Sequence, residues 1–233
     1  MLTLAFETSA KAGSVALMED GKLLAEAYQN TALTHSQTVM VMGSDILKTS
    51  GKTVADLTAV AVAAGPGSFT GVRIGVAAAK GLAWGADLPL YGVSTLEAMA
   101  LHLGVYEGYV AAAMDARRSQ VYNAIFRAEQ GVLTRITEDR AIALSELGAE
   151  LEKLDAPIFL VGDGSSLCYE TLREKIQNLV LPPEHLQHQR ATGVALAAEI
   201  AIKNGEPGNG AALTPNYLRL SQAERERLAK EEK

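Results

Sequence analysis

The chain has one cysteine, Cys168, in 233 residues, and only 5% of its residues are aromatic. A single thiol excludes an internal disulfide and cannot by itself build a thiolate zinc site. Of the few histidines, His185 and His188 stand three apart after Pro182-Pro183. Without a third ligand they read as surface residues of a loop. So few aromatics leave little for stacking single-stranded bases. No apolar run reaches the ~18–20 residues that a bilayer crossing needs. The most apolar stretch, Val72–Trp84, is interrupted by Arg73 and Lys80. Met1 leads into Leu2–Phe6 and acidic Glu7 without the basic region of a signal peptide. The expectation is a soluble, cytoplasmic chain with no membrane partner. Basic charge is short as well, 21 Lys+Arg against 27 Asp+Glu, a formal net of −6. Nucleic-acid affinity rests on phosphate neutralisation, so such a chain is a poor stand-alone ligand for RNA. Arg117-Arg118 is a local basic spot; any tRNA role is expected mainly through a complex.

What is present is an ordinary globular balance, 48% hydrophobic and 21% charged. Strand-like runs fall at Leu2–Phe6, Ser14–Met18 and Leu23–Tyr28, with Asp20-Gly21 as a hairpin turn. His35–Leu47 has helical spacing behind Thr34, and Ala59–Ala63 reads as a buried strand. A Gly-Pro-rich loop at Gly65–Gly71 precedes an Ala/Gly-rich helix ending near Trp84. Leu90–Val93 is a strand, and Ser94-Thr95-Leu96-Glu97 has the pattern of a capping box.

The second half repeats the order. Strands are expected at Tyr109–Met114, Val121–Arg127 and Val132–Ile136, then a helix at Ser145–Leu154. Strand Pro157–Val161 and helix Ser166–Gln177 follow, and a last helix, Thr192–Asn204, stops at Gly205. Strand-strand-strand-helix-strand-helix therefore occurs twice, which predicts an α/β chain of two duplicated lobes. The expected divisions are an N-terminal lobe, 1–104, a C-terminal lobe, 105–205, and a tail, 206–233, returning to the N-terminal lobe. Gln222–Lys233 is charge-dense and reads as a solvated helix or frayed end.

Several familiar patterns fail on inspection. Gly51-Lys52-Thr53 resembles the end of a phosphate-binding loop, yet Ile46 stands where the required glycine belongs. Gly65 and Gly67 begin a dinucleotide fingerprint, but Thr70 occupies the third glycine position. No Gly-x-Ser-x-Gly elbow exists.

Two segments remain. Gly65-Pro66-Gly67-Ser68-Phe69-Thr70-Gly71-Val72-Arg73-Ile74-Gly75 makes a strand-to-helix turn in which Ser68 and Thr70 can cap the helix. Its free N–H groups can hold an anion, or the turn is simply capped and closely packed. Glu7-Thr8-Ser9 ends the first strand. These oxygens can bind a nucleotide phosphate or a metal, or can satisfy backbone groups of the turn.

Both segments, with Gly92-Val93-Ser94-Thr95-Leu96, Met114-Asp115-Ala116-Arg117-Arg118, Gly162-Asp163-Gly164 and Pro215-Asn216-Tyr217-Leu218-Arg219, resemble the bacterial TsaB (YeaZ) family in order along nearly the whole chain. The resemblance implies the two-lobed actin/hexokinase/Hsp70-like (ASKHA) fold. It also implies an accessory role beside the catalytic paralogue TsaD in N6-threonylcarbamoylation of adenosine 37, in tRNAs reading codons that begin with A. An ATPase, TsaE, joins that complex. TsaD carries Gly-Val-Asn-His-Leu-Glu-Gly-His where this chain has Gly92-Val93-Ser94-Thr95-Leu96-Glu97-Ala98-Met99. Thr95 and Met99 thus replace the two metal-holding histidines, so no catalytic residue and no metal site are expected.

Glu7, Thr8, Ser9, Gly162, Asp163 and Gly164 are the nucleotide-adjacent candidates. No cofactor is expected in the isolated chain, with ATP or ADP placed at the complex interface. The resemblance puts the partner interface on the helices beginning at His35 and Val72. Val39, Met42 and Ile46 on one, with Gly71, Gly75 and Ala79 on the other, are the candidate contact stripe for TsaD or, without it, for a second copy in a homodimer. The alternative is that both stripes face the lobe's own core. The rival function is an ATPase or sugar-kinase-like enzyme on the same fold, partly supported by Glu7 and Gly162-Asp163-Gly164. A peptidase reading lacks both metal ligands and a placed nucleophile.

Overall fold

Period-two alternation gives each strand two faces, and here it divides large residues from small ones. In the first lobe the strands are β1 (Leu2–Glu7), β2 (Gly13–Glu19), β3 (Lys22–Gln29), β4 (Ala59–Ala63) and β5 (Leu90–Val93). Its helices are α1 (His35–Thr49), α2 (Phe69–Gly85) and α3 (Thr95–Leu103). Leu4, Phe6, Val15, Leu17, Val60 and Val62 point to one side and bury against α1 and α2. Ala5, Ala16, Met18, Ala61 and Ala63 point to the other. The structure, a computed structural model, describes residues 1–31, 33–103, 106–210 and 212–219.

The second lobe contains β6 (Gly108–Asp115), β7 (Gln120–Glu129), β8 (Val132–Arg135), β9 (Arg140–Ala143), β10 (Ile158–Val161) and β11 (Leu179–Val180). Its helices are α4 (Leu144–Leu151), α5 (Ser165–Leu172) and α6 (Ala191–Lys203). The first sheet has the order β3-β2-β1-β4-β5, and the second repeats it as β8-β7-β6-β10-β11, with β9 added on β7. In each, the opening strand is antiparallel to its hairpin partner and parallel to the strand on its other side. The next hairpins, β2–β3 and β7–β8, each turn on two left-handed residues, Asp20-Gly21 (φ 51° and 84°) and Gln130-Gly131 (φ 51° and 75°). That geometry matches the right-handed twist of the strands. The duplicated order is therefore a duplicated topology, and the chain has the two-lobed actin/hexokinase/Hsp70-like fold.

Small residues decide how the lobes meet. Chain order placed Thr192–Asn204 with the second lobe, but α6 packs across β1, β2 and β4 of the first sheet. The alanine-lined face of that sheet receives Ala191, Val194, Ala195 and Ala198. Conversely α3 packs on β6, β7 and β10 of the second sheet, against Val110, Ala112, Ala124 and Phe126. The last helices of the two repeats are thus exchanged and press on each other. At their crossing, a Cβ on Gly193 would meet the Ala98 carbonyl oxygen at 2.0 Å. Only glycine allows that approach.

Other differences from expectation are local. Helix α5 ends at Leu172, not Gln177, because Arg173, Glu174 and Lys175 are exposed while the chain turns to bury Ile176 and Leu179. Helix α4 ends at Leu151, not Leu154. The capping box at α3 is half formed. Ser94 Oγ accepts from the Glu97 N–H at 3.2 Å, but the Glu97 carboxylate turns away to Arg135 at 2.9 Å. After α6 the chain returns to the first lobe. Asn209 N–H donates to Leu90 O at 2.9 Å, Leu213 is buried in the first core, and Asn216 N–H donates to Ala64 O at 2.6 Å. The charged segment Gln222–Lys233 lies outside the described residues.

Candidate functional site

Four turns converge between the lobes, those joining β1 to β2, β4 to α2, β6 to β7 and β10 to α5. They enclose a cleft of about 680 Å³ whose lining includes Ser9, Lys11, Phe69, Thr70, Asp115, Arg117, Asp163 and Arg219. Of the six nucleotide-adjacent candidates, only Ser9 and Asp163 reach its surface.

Glu7 lies wholly buried behind Ser9. One carboxyl oxygen accepts from the Ser9 N–H at 2.6 Å, while Oε2 and the Ser9 hydroxyl find no partner among the described residues. Burial raises the Glu7 pKa to about 7 against the opposing pull of the neighbouring Ser9, and the charge of Asp163 adds to the rise. A carboxyl group half-protonated near pH 7 and shut behind Ser9 is poorly placed to meet a cation in the cleft. Asp163 opens onto the cleft but is walled by protein on most sides. That desolvation raises its pKa, with Asp115 adding repulsion and the Gln189 amide, at 3.0 Å, opposing.

Thr8 is spent on packing. Its hydroxyl donates to Gly71 O at 2.7 Å, and three glycines open the space around this turn. A Cβ on Gly71 or Gly75 would meet Thr8 O at 2.1 Å or Thr8 Oγ1 at 2.3 Å, and one on Gly67 would meet Ser9 O at 2.5 Å. The Gly-rich segment is therefore closely packed on this turn, with Ser68 Oγ capping α2 by accepting from the Gly71 N–H at 3.3 Å. Thr70 does not cap; it lies inside the first turn of α2. Gly162, at φ 105°, and Gly164 play the matching part in the second lobe, both pressed on the Ala113 carbonyl at the end of β6.

The proposed contact stripe is corrected by the same facts. Val39, Ile46, Gly71, Gly75 and Ala79 are buried within the first lobe, and Met42 packs against that core. The outward face of these helices is formed instead by Met40, Val41 and Trp84, which are 48%, 58% and 89% exposed. Between α1 and α2 runs a groove of about 400 Å³ lined by Met40, Leu47, Val54 and Leu82.

Sequence reasoning missed Lys11 and Phe69 as cleft residues. Arg117 was visible as half of a basic pair, and Arg219 as the end of the Pro215–Arg219 segment. Neither sequence feature showed that the two residues meet.

A family model described as TsaD: tRNA N6-adenosine threonylcarbamoyltransferase matches residues 24–227. The tRNA threonylcarbamoyladenosine biosynthesis protein TsaB of Bacillus subtilis is 32% identical over 96% of both chains. The Escherichia coli protein of that name is 41% identical over 70% of this chain and 72% of its own. The chain belongs to the TsaB family. The solved structure of YeaZ from Pseudomonas aeruginosa superposes with a TM-score of 0.73 at 28% identity, covering 93% of this chain and 99% of that one.

Within the TsaB family framework, Thr95 and Met99 become informative. They sit one turn apart on α3, 0% and 1% exposed. The Met99 sulfur packs against Gly162, where a Cβ would approach it to 3.1 Å. A buried hydroxyl and a thioether are poor ligands for a hard divalent metal. Among the described residues, no group of three His, Cys, Asp or Glu side chains is placed to hold a metal ion.

Proposed function

We propose that this chain is the non-catalytic accessory subunit of tRNA threonylcarbamoyladenosine biosynthesis. It binds and stabilises a TsaD-type paralogue that modifies adenosine 37 in tRNAs reading codons that begin with A. The observation that carries the reading is the burial of Thr95 and Met99 on α3, at the two places where the family resemblance expects metal-holding histidines in the catalytic paralogue. Among the described residues no His, Cys, Asp or Glu cluster stands in for those ligands, which supports assigning the chemistry to the partner. The partner seats on the exposed apolar face of α1 and α2, and in its absence a second copy covers that face as a homodimer. TsaE joins the complex, and ATP or ADP binds at a joint interface.

The rival ATPase reading needs an ionised acid at the end of β1. Glu7 is buried behind Ser9 and does not line the cleft, which argues against that role. A cysteine-peptidase role is disfavoured because burial pushes the Cys168 thiol up to about 12. The test is elemental analysis and phosphate release on the purified chain. The expected result is no stoichiometric iron or zinc and no ATP turnover. One metal per chain surviving chelation contradicts the proposal.

A further inference from the structure

We propose that the mouth of the interlobe cleft is a contact for the sugar-phosphate backbone of RNA, an inference resting on the tRNA-modifying role above. In a chain of net charge −6, cations gather here. Lys11, Arg117 and Arg219 line the cleft, Arg118 follows on the β6–β7 turn, and Arg73 lies one turn along α2 from Phe69. The ion pairs among the described residues all lie elsewhere.

The two acids of the cleft do not cancel this excess. Asp115 Oδ1 accepts from the Arg117 backbone N–H at 2.7 Å, and Asp163 is held by Gln189. Both acids repel a phosphate that enters deeply, so a free nucleotide is disfavoured on the floor. A polyanion lying across the rim meets the cations first. Arginine is suited to that contact because its planar fork binds phosphate oxygens in pairs.

The rim is also held in shape. Arg117, Arg118 and Ser119 have φ values of 62°, 57° and 55°. Backbone bonds pin this tip, with Gln120 N–H on Arg117 O at 3.2 Å and Leu144 N–H on Ser119 O at 3.0 Å. From the opposite wall, Arg219 Nη1 reaches across to Ala116 O at 2.8 Å. Tyr217 stacks on Phe69 at 4.0 Å, and the Arg73 guanidinium lies 4.4 Å from the Phe69 ring centroid. Arg73 Nε also donates to the Tyr217 hydroxyl at 2.7 Å, so the arginine and the aromatic pair form one preformed wall beside the cations. Because α2 carries the proposed partner surface, an RNA bound by the complex can run from the partner onto this rim.

The experiment is equilibrium binding of an unmodified tRNA transcript to the full chain, from about 50 mM to about 200 mM salt. Arg117→Gln/Arg118→Gln is compared with Lys175→Gln on a remote exposed surface. Losing two phosphate contacts should cut affinity about tenfold or more at low salt and reduce the log–log salt slope by about 1.5. The Lys175 variant should behave as the parent. Unchanged RNA binding in the double variant overturns the proposal, as does absence of RNA binding by the parent chain. Displacement of RNA by ADP at equal phosphate concentration also overturns it, marking a nucleotide site instead. Size-exclusion chromatography of the same variants with the catalytic subunit separates the two ideas. Assembly should be unchanged, and failure of the parent to assemble contradicts the accessory role without touching the RNA result.

Discussion

Thr8 and the three glycines packed around it show why a short polar motif can be structural at one atom and open at the next. Gly75 has no room for a side chain, because its Cβ would lie 2.3 Å from Thr8 Oγ1. Gly75→Ala should therefore lower stability by about 1–3 kcal/mol through overpacking, read as a fall in the urea midpoint at unchanged slope. Gly75→Arg should not fold, and circular dichroism checks that directly. The spacing of Gly71, Gly75 and Ala79 was legible in the sequence, but not which surface it would meet. A small-residue stripe permits close approach from any neighbour, and here the neighbour is the chain's own β1–β2 turn.

Glu7 gives a prediction with a definite sign. Its folded pKa is about 7 and its unfolded value is about 4.3. A raised folded pKa means its contribution is fully present below about pH 4.3 and is lost as pH rises through about 7. The loss is at most about 4 kcal/mol. Glu7→Gln cannot ionise, so its stability relative to the parent should rise across that window. Urea titrations at several pH values measure this. A parallel pH dependence in both proteins would locate the titration elsewhere.

At the scale of elements, most strands were legible because large and small residues alternate cleanly along them. The hairpins were legible because Asp-Gly and Gln-Gly accept left-handed backbone. Strands β9 and β11 were not, since four residues beginning with Arg140 and two residues at Leu179–Val180 carry no periodic signal. The exchange of α3 and α6 was hidden for a different reason. Each helix is apolar enough to pack on either sheet, and only the alanine-lined face of the first sheet selects α6. Helices α1 and α2 were placed correctly, but the residues offered to a partner were taken from their buried face. Met40→Glu/Val41→Asp acts on the exposed face instead. Its thermal melt should stay within a few degrees of the parent, while affinity for the catalytic subunit should fall by about a hundredfold or more. Isothermal titration checks the second, and normal binding would move the interface off α1.

The whole molecule is a duplicated fold whose four inward turns form a cleft without a placed metal ligand set among the described residues. Its lobes are joined through the α3–α6 crossing. Gly193→Ala, whose Cβ would meet Ala98 O at 2.0 Å, should separate these helices and destabilise both lobes together, seen as one cooperative transition at lower temperature. The two lobes that border the cleft followed from the repeat. The cleft's chemistry did not, because the burial of Glu7 and the approach of Arg219 to the β6–β7 turn depend on contacts distant in sequence. The most direct test of the accessory role is a reconstituted tRNA modification assay, run with the catalytic subunit, with this chain, and with both. The expected result is no product from this chain alone and a large gain when it joins the catalytic subunit. Modification by this chain alone, or full activity without it, would contradict that role.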